Sequence, residues 1–91
     1  MLTIRYSARF KRDYKFVKKR GYDIGLLEEV LDILCSNQPL PPKYRDHNLT
    51  GNYEGHRECH ISPDWLLIYK IYEDVLILTL VETGSHSDLF G

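Results

Sequence analysis

The sequence predicts an α+β fold of order β-α-α-β-β-β, with two N-terminal helices packed on one face of an antiparallel sheet and a short helical turn near its C-terminal end. Three observations carry this prediction. A short alternating stretch leads into two segments whose apolar residues recur every three or four positions. A proline-rich interval then ends the helical pattern. Beyond it, three alternating apolar stretches are separated by the turn formers Ser62-Pro63-Asp64 and Glu73-Asp74, as in an antiparallel meander. Two helices can cover only one face of such a sheet, so the other is expected to be free.

Leu2, Ile4 and Tyr6 alternate with Thr3 and Arg5 as in a half-buried strand, and Ser7 offers an oxygen to cap the next helix. In that helix Phe10, Tyr14 and Val17 form the inward stripe, while Lys11, Arg12, Lys15, Lys18 and Lys19 face water. Gly21 is suited to end it. Asp23 caps a second helix, whose buried stripe is Leu27, Val30, Leu31 and Leu34. Pro39, Pro41 and Pro42 exclude its continuation, and residues 39–51 read as a surface loop carrying His47. Strands are expected at about 53–61, 65–72 and 75–82. Ser85 stands three residues before Asp88, the spacing of a capping box, which places His86 at the start of a last helical turn.

Ninety-one residues support one core, so a single domain, 1–91, is expected, with any site on that core's surface. No apolar run approaches the roughly 20 residues that span a bilayer, and no secretory signal is visible, so the expected address is the cytoplasm. Cys35 and Cys59 lie in apolar patterns and read as reduced, buried thiols. The net charge is only −1, but residues 1–20 carry +7 and the remainder −8. A local basic face of this kind attracts phosphate.

The stretch E-C-H-I-S-P-D-W-L-L-I-Y, Glu58 to Tyr69, sets a histidine, a carboxylate and an indole around one bend. Pro63 does not suit the left-handed two-residue turns, so a four-residue loop is expected, with Ile61 opposite Leu66 and His60 opposite Leu67. Cys59 and Ile61 then face the helices together with Leu66 and Ile68. His60 points to the open face, with Asp64 and Trp65 beside it.

His56 and His60 have the spacing of a helical zinc pair, but on a strand four residues span about 13 Å, too far for one ion. No Gly-x-Ser-x-Gly turn is present, and Cys59 is assigned to the core. Histidines with a carboxylate, and neither metal nor protein nucleophile, suit RNA cleavage in which the substrate's own 2′-hydroxyl attacks the adjacent phosphate. That reaction needs a base, an acid and cations to hold the developing charge. Trp65 and Phe90 would stack splayed bases, and the basic first helix, with Lys43 and Arg45, would hold phosphates.

The runs D-H-N-L-T-G (Asp46–Gly51), R-E-C-H-I-S-P-D-W-L-L-I-Y (Arg57–Tyr69) and T-G-S-H-S-D-L-F-G (Thr83–Gly91), in this order, resemble the YafQ-type toxins of the RelE superfamily. The resemblance spans nearly the whole chain. It implies the toxin half of a type II toxin–antitoxin pair, a ribosome-dependent mRNA endonuclease that works without metal or other cofactor. The family's catalytic set falls on His47, His60, Asp64 and His86, with stacking aromatics at Trp65 and Phe90. The expected division of labour makes His86 the acid toward the leaving 5′-oxygen and Asp64 the base toward the 2′-hydroxyl, with His47 and His60 holding the phosphate. RNA contacts are expected from Lys11, Arg12, Lys15, Lys18, Lys43, Arg45 and Arg57. The implied partners are a cognate antitoxin, the ribosome and mRNA. Operator-DNA binding by the complex, through the antitoxin, is left open, as is a non-enzymatic or gyrase-inhibiting role within the same superfamily. One departure is the near-neutral charge, with a sequence pI of about 6.4, which implies weaker or more salt-sensitive ribosome binding than in basic relatives.

Overall fold

Local capping builds both long helices in the computed structural model, which describes residues 1–90. Strand β1 (Thr3–Tyr6) passes through Ser7, whose hydroxyl oxygen accepts the Phe10 N–H at 2.8 Å and starts helix α1 (Ala8–Lys19). The helix closes in a Schellman motif around Gly21, at φ +85°: the Gly21 and Tyr22 amides donate to the Lys18 and Val17 carbonyls. Asp23 accepts the Gly25 N–H at 3.0 Å to start α2 (Ile24–Cys35). A 3₁₀ turn (Pro42–Tyr44), strand β2 (His47–Asn48) and a second 3₁₀ turn (Gly51–Tyr53) occupy the interval that reads as unstructured loop in the sequence. Strands β3 (Arg57–Ser62), β4 (Trp65–Tyr72) and β5 (Ile77–Gly84) follow, and α3 (His86–Phe90) completes the described chain.

The strands form one sheet in the order β1-β5-β4-β3-β2. Pairing is antiparallel from β2 to β5, as the meander implies, but β1 joins β5 in parallel. The sheet is therefore mixed. Apolar alternation fixes which side chains share a face but not strand direction, and β1 docks far from its sequence neighbours. The Ser7 hydroxyl, for example, donates to the carbonyl of Val81, 74 residues away.

The sheet has apolar packing on both faces. On the helix side Phe10, Val17, Leu27, Val30 and Leu34 pack against Cys59, Ile61, Trp65, Leu67, Tyr69, Leu78 and Leu80. On the opposite side Leu66 and Ile68 pack with Leu89 of α3, flanked by Leu49, Tyr53 and Val81. The expected free face is thus partly covered by the 49–53 segment and α3.

The β3–β4 hairpin differs from its expected register. Ser62 pairs with Trp65 across a two-residue turn, Pro63-Asp64, and His60 pairs with Leu66. A bulge between His60 and Ser62 leaves Ile61 without a partner, and this irregularity accommodates Pro63 in the short turn. A one-residue change in register exchanges the faces of a strand. Leu66 and Ile68 therefore leave the helix side, and Trp65 enters it.

Candidate active site

Cross-strand register arranges the polar residues of the helix-distal face into two rows. One runs His47, Glu58, Ile68 and Glu82 across β2, β3, β4 and β5; the next runs His60, Leu66 and Gly84. The His47 and His60 rings lie 6.5 Å apart, centroid to centroid. His47 Nδ1 is 2.8 Å from the Arg45 carbonyl oxygen and Nε2 is 3.3 Å from Glu58 Oε1. Both ring nitrogens thus face oxygen acceptors. Arg45 adopts a left-handed conformation, φ +48° and ψ +41°, which aims its carbonyl at His47.

Glu58 was not singled out by sequence reasoning. Its carboxylate is buried against His47, and its second oxygen has no hydrogen-bond partner among the described residues. Strand alternation puts Glu58 on the face of His60, but its contact with His47 depends on β2, whose two residues carry too little pattern to be recognised.

On the other side of the row, Asp64 Oδ1 accepts the His86 backbone N–H at 3.5 Å, linking the hairpin bend to the start of α3. The expected capping box is present: Ser85 N–H donates to Asp88 at 2.9 Å, and Asp88 N–H donates to the Ser85 oxygen at 3.1 Å. The Ser85 amide contributes most to holding the Asp88 carboxyl below its ordinary pKa, with the Ser85 side chain and the Arg20 ion pair at 3.2 Å acting in the same direction. The Phe90 ring lies 5.1 Å from His86 and meets Tyr53 edge-on at 5.9 Å. Phe90 is 43% exposed, which leaves it available for stacking. His60 and Gly84 are two strands apart, about 10 Å at ordinary sheet spacing. A phosphodiester with its flanking sugars spans a gap of that size.

Two expected RNA contacts are not so placed. Trp65 is 2% exposed in the helix-side core, its ring edge against Tyr22 and its Nε1–H donating to Thr83 Oγ1 at 2.9 Å. The changed register carries it inward, so its faces are not open for base stacking. Arg57 donates to Asp46 at 2.7 and 3.0 Å and to Asn48 at 2.6 Å, while the Tyr69 hydroxyl also donates to Asp46. This network ties β2 to β3 and β4, and it occupies the guanidinium expected for phosphate.

The lysines divide into separate groups. Lys43 and Arg45 line a cleft of about 470 Å³ beside His60. Lys11, Lys15 and Lys18 instead line the groove between α1 and α2, over an apolar floor that includes Phe10, Tyr14 and Leu27. Arg12 borders a third depression with Phe16, Thr83 and Asp88. Cys59 is buried and Cys35 partly so; both thiols are free, and burial raises the pKa of each.

The model of a bacterial toxin of type II toxin–antitoxin systems, YafQ, matches residues 2–91. The chain belongs to the YafQ toxin family. Among YafQ relatives, the mRNA interferase toxin YafQ of Escherichia coli K12 is 40% identical over 89 residues, covering 97% of this chain and 95% of the relative. A metal-bound toxin from Helicobacter pylori superposes with a TM-score of 0.92 at 49% identity, covering 99% of this chain and all of that one. YafQ from the E. coli DinJ–YafQ complex superposes with a TM-score of 0.91 at 39% identity, with full coverage of both chains. Among the described residues here, no three His, Cys, Asp or Glu side chains converge closely enough to hold a metal ion. No helix among the described residues is long and apolar enough to cross a membrane.

Proposed function

We propose that this YafQ-family toxin is an endoribonuclease that cuts mRNA on the ribosome, using the RNA 2′-hydroxyl as nucleophile and its own side chains as acid and base. The observations that carry the proposal are the 6.5 Å approach of the His47 and His60 rings and the bond from the His86 backbone N–H to Asp64, in a chain 40% identical to an mRNA interferase. Asp64 takes the proton of the 2′-hydroxyl as its oxygen bonds to phosphorus. His86 gives a proton to the departing 5′-oxygen, leaving a 2′,3′-cyclic phosphate on one fragment and a 5′-hydroxyl on the other. His47 and His60 hold the phosphoryl oxygens, where charge develops, and Glu58 orients His47. Phe90 stacks a flanking base. No step is routed through a metal.

The proposed setting is the bacterial cytoplasm, with a cognate antitoxin as the inhibiting partner. The groove between α1 and α2, about 690 Å³ with an apolar floor and a lysine rim, suits an acidic amphipathic antitoxin segment. Operator binding would belong to the antitoxin in that complex.

The test is a purified translation reaction with mapped mRNA 5′ ends, run with and without ribosomes and with and without a transition-metal chelator at constant free magnesium, which the ribosome requires. Site-specific cuts that require ribosomes and persist in chelator are expected. His86→Ala, with unchanged folding and ribosome binding, should slow single-turnover cleavage by at least about 100-fold. A wild-type rate in that variant removes His86 as the acid, and loss of cutting in chelator removes the metal-free mechanism.

A further inference from the structure

We propose that the cleft beside His60 is a nucleotide subsite in which Glu29 selects a guanine base next to the phosphate being cut. This deepens the endoribonuclease reading and rests on it for the identity of the phosphate. The cleft exists because β2 pairs only with Arg57 and Glu58, so the edge of β3 is open from Cys59 onward. α2 forms one wall with Leu26 and Glu29; the Pro42–Tyr44 turn and the hairpin form the other with Lys43, Arg45 and His60. Tyr44 and Ile61 are both buried and supply an apolar floor. An apolar floor with a few convergent polar groups, at about 470 Å³, is the size and character of a small-ligand site.

The charges in the cleft are polarised. Arg45 adjoins His47, whose ring is 6.5 Å from that of His60, and the Lys43 ammonium lies 5.0 Å over the Tyr44 ring; no ion pair within 4.0 Å engages either cation, or Glu29, among the described residues. A nucleotide placed with its phosphate toward Glu29 would meet like charge, so its phosphate belongs at the cation wall and its base at the α2 wall. That orientation puts the phosphate beside His60. Leu26, 36% exposed, gives the base an apolar contact. Glu29 is an acceptor with two oxygens, and in single-stranded RNA the pairing edge of the base is open. Guanine alone among the four bases presents two adjacent N–H donors, N1 and N2, on that edge, matching both carboxylate oxygens. Arg45 also serves both histidines, since its carbonyl is bonded to His47 while its side chain borders the cleft at His60.

The test is an amide chemical-shift titration of the whole protein with 2′-deoxy dinucleotides of each base, which lack the attacking hydroxyl and are not cut. The guanine dinucleotide should perturb Leu26, Glu29, Tyr44 and Ile61 and bind at least about fivefold more tightly than the thymine one, within the range of a good bidentate base contact. Glu29→Gln, at an exposed helix position, should reduce that preference to below about twofold, and Lys43→Gln should weaken all four ligands alike. Perturbations confined to the α1–α2 groove, no perturbation, or an unchanged preference in Glu29→Gln overturns the proposal. Binding is read here without cleavage, so guanine binding in the cleft by a protein that leaves mRNA intact defeats the nuclease reading alone. Mapped cuts whose flanking bases are the same in wild type and Glu29→Gln defeat the subsite alone.

Discussion

Glu58 brings a carboxylate into the face that carries the histidines, with one oxygen toward His47 and the other unpartnered. Burying a charge that is incompletely satisfied opposes folding, and its retention is expected where function uses it. Glu58→Gln should therefore leave the melting temperature unchanged or raised while slowing cleavage by about tenfold, the rate equivalent of roughly 1.4 kcal/mol. A fall in stability with unchanged cleavage would make the His47–Glu58 pair a structural contact only. Trp65 should behave in the opposite way. Trp65→Phe removes the indole N–H that satisfies Thr83 and should cost about 1–3 kcal/mol in denaturant unfolding. Below its melting transition this variant should still cut, because the ring lies in the core and not over the RNA. Residue identity suggested a stacking surface for Trp65, but burial decides what an aromatic face can touch.

At the scale of elements, signals within a few residues of each other were legible and cross-strand relations were less so. Ser7 and Asp23 cap their helices as their positions imply, and Ser85 and Asp88 form the box their spacing suggests. His60 pairs with Leu66, which belongs to the helix-distal cluster, and it also lines a cleft with Leu26 and Glu29 of α2. The bulge at Ile61 has no comparable signature, since Pro63 fits either hairpin length until the strands are paired. Its effect is to redirect Trp65 and bring Leu66 to the site face, although neither residue is unusual in the sequence. α3 depends on contacts that can be tested. A Cβ on Gly84 would lie 3.0 Å from Asp88 Cβ, so Gly84→Ala should displace the capping turn, and with it His86. The expected result is a loss of cleavage larger than the loss of stability, measured on the same preparation. The folded chain holds the Asp88 carboxyl below its ordinary pKa of 3.8, chiefly through the Ser85 amide. Its contribution to α3 is present above that pH and is lost as the pH falls through the lower folded value, so acid should loosen α3. Asp88→Asn should remove that acid-dependent step, read from amide exchange of α3 between neutral pH and pH below 3.8.

For the whole molecule, the basic stretch of the sequence divides in space. Lys11, Lys15 and Lys18 form the rim of the α1–α2 groove, while Arg9 and Arg20 pair with Glu82 and Asp88. Replacing Lys11, Lys15 and Lys18 with Gln should weaken ribosome binding and flatten its dependence on salt, leaving the single-turnover rate at saturation unchanged. Unchanged affinity would assign the groove to the antitoxin alone.

The parallel pairing of β1 with β5 also bears on how the chain is made. β5 lies inside the sheet, between the first strand and the fourth, although it is the last strand to be synthesised. Until residues 77–84 have emerged, β1 has no partner and β4 presents an unpaired edge. A nascent or truncated chain ending earlier therefore lacks an interior strand of its sheet, with exposed hydrogen-bonding edges that invite aggregation. Sheet closure and delivery of His86 come from the same late segment, so the proposed cleavage chemistry would be acquired only as the chain becomes able to fold.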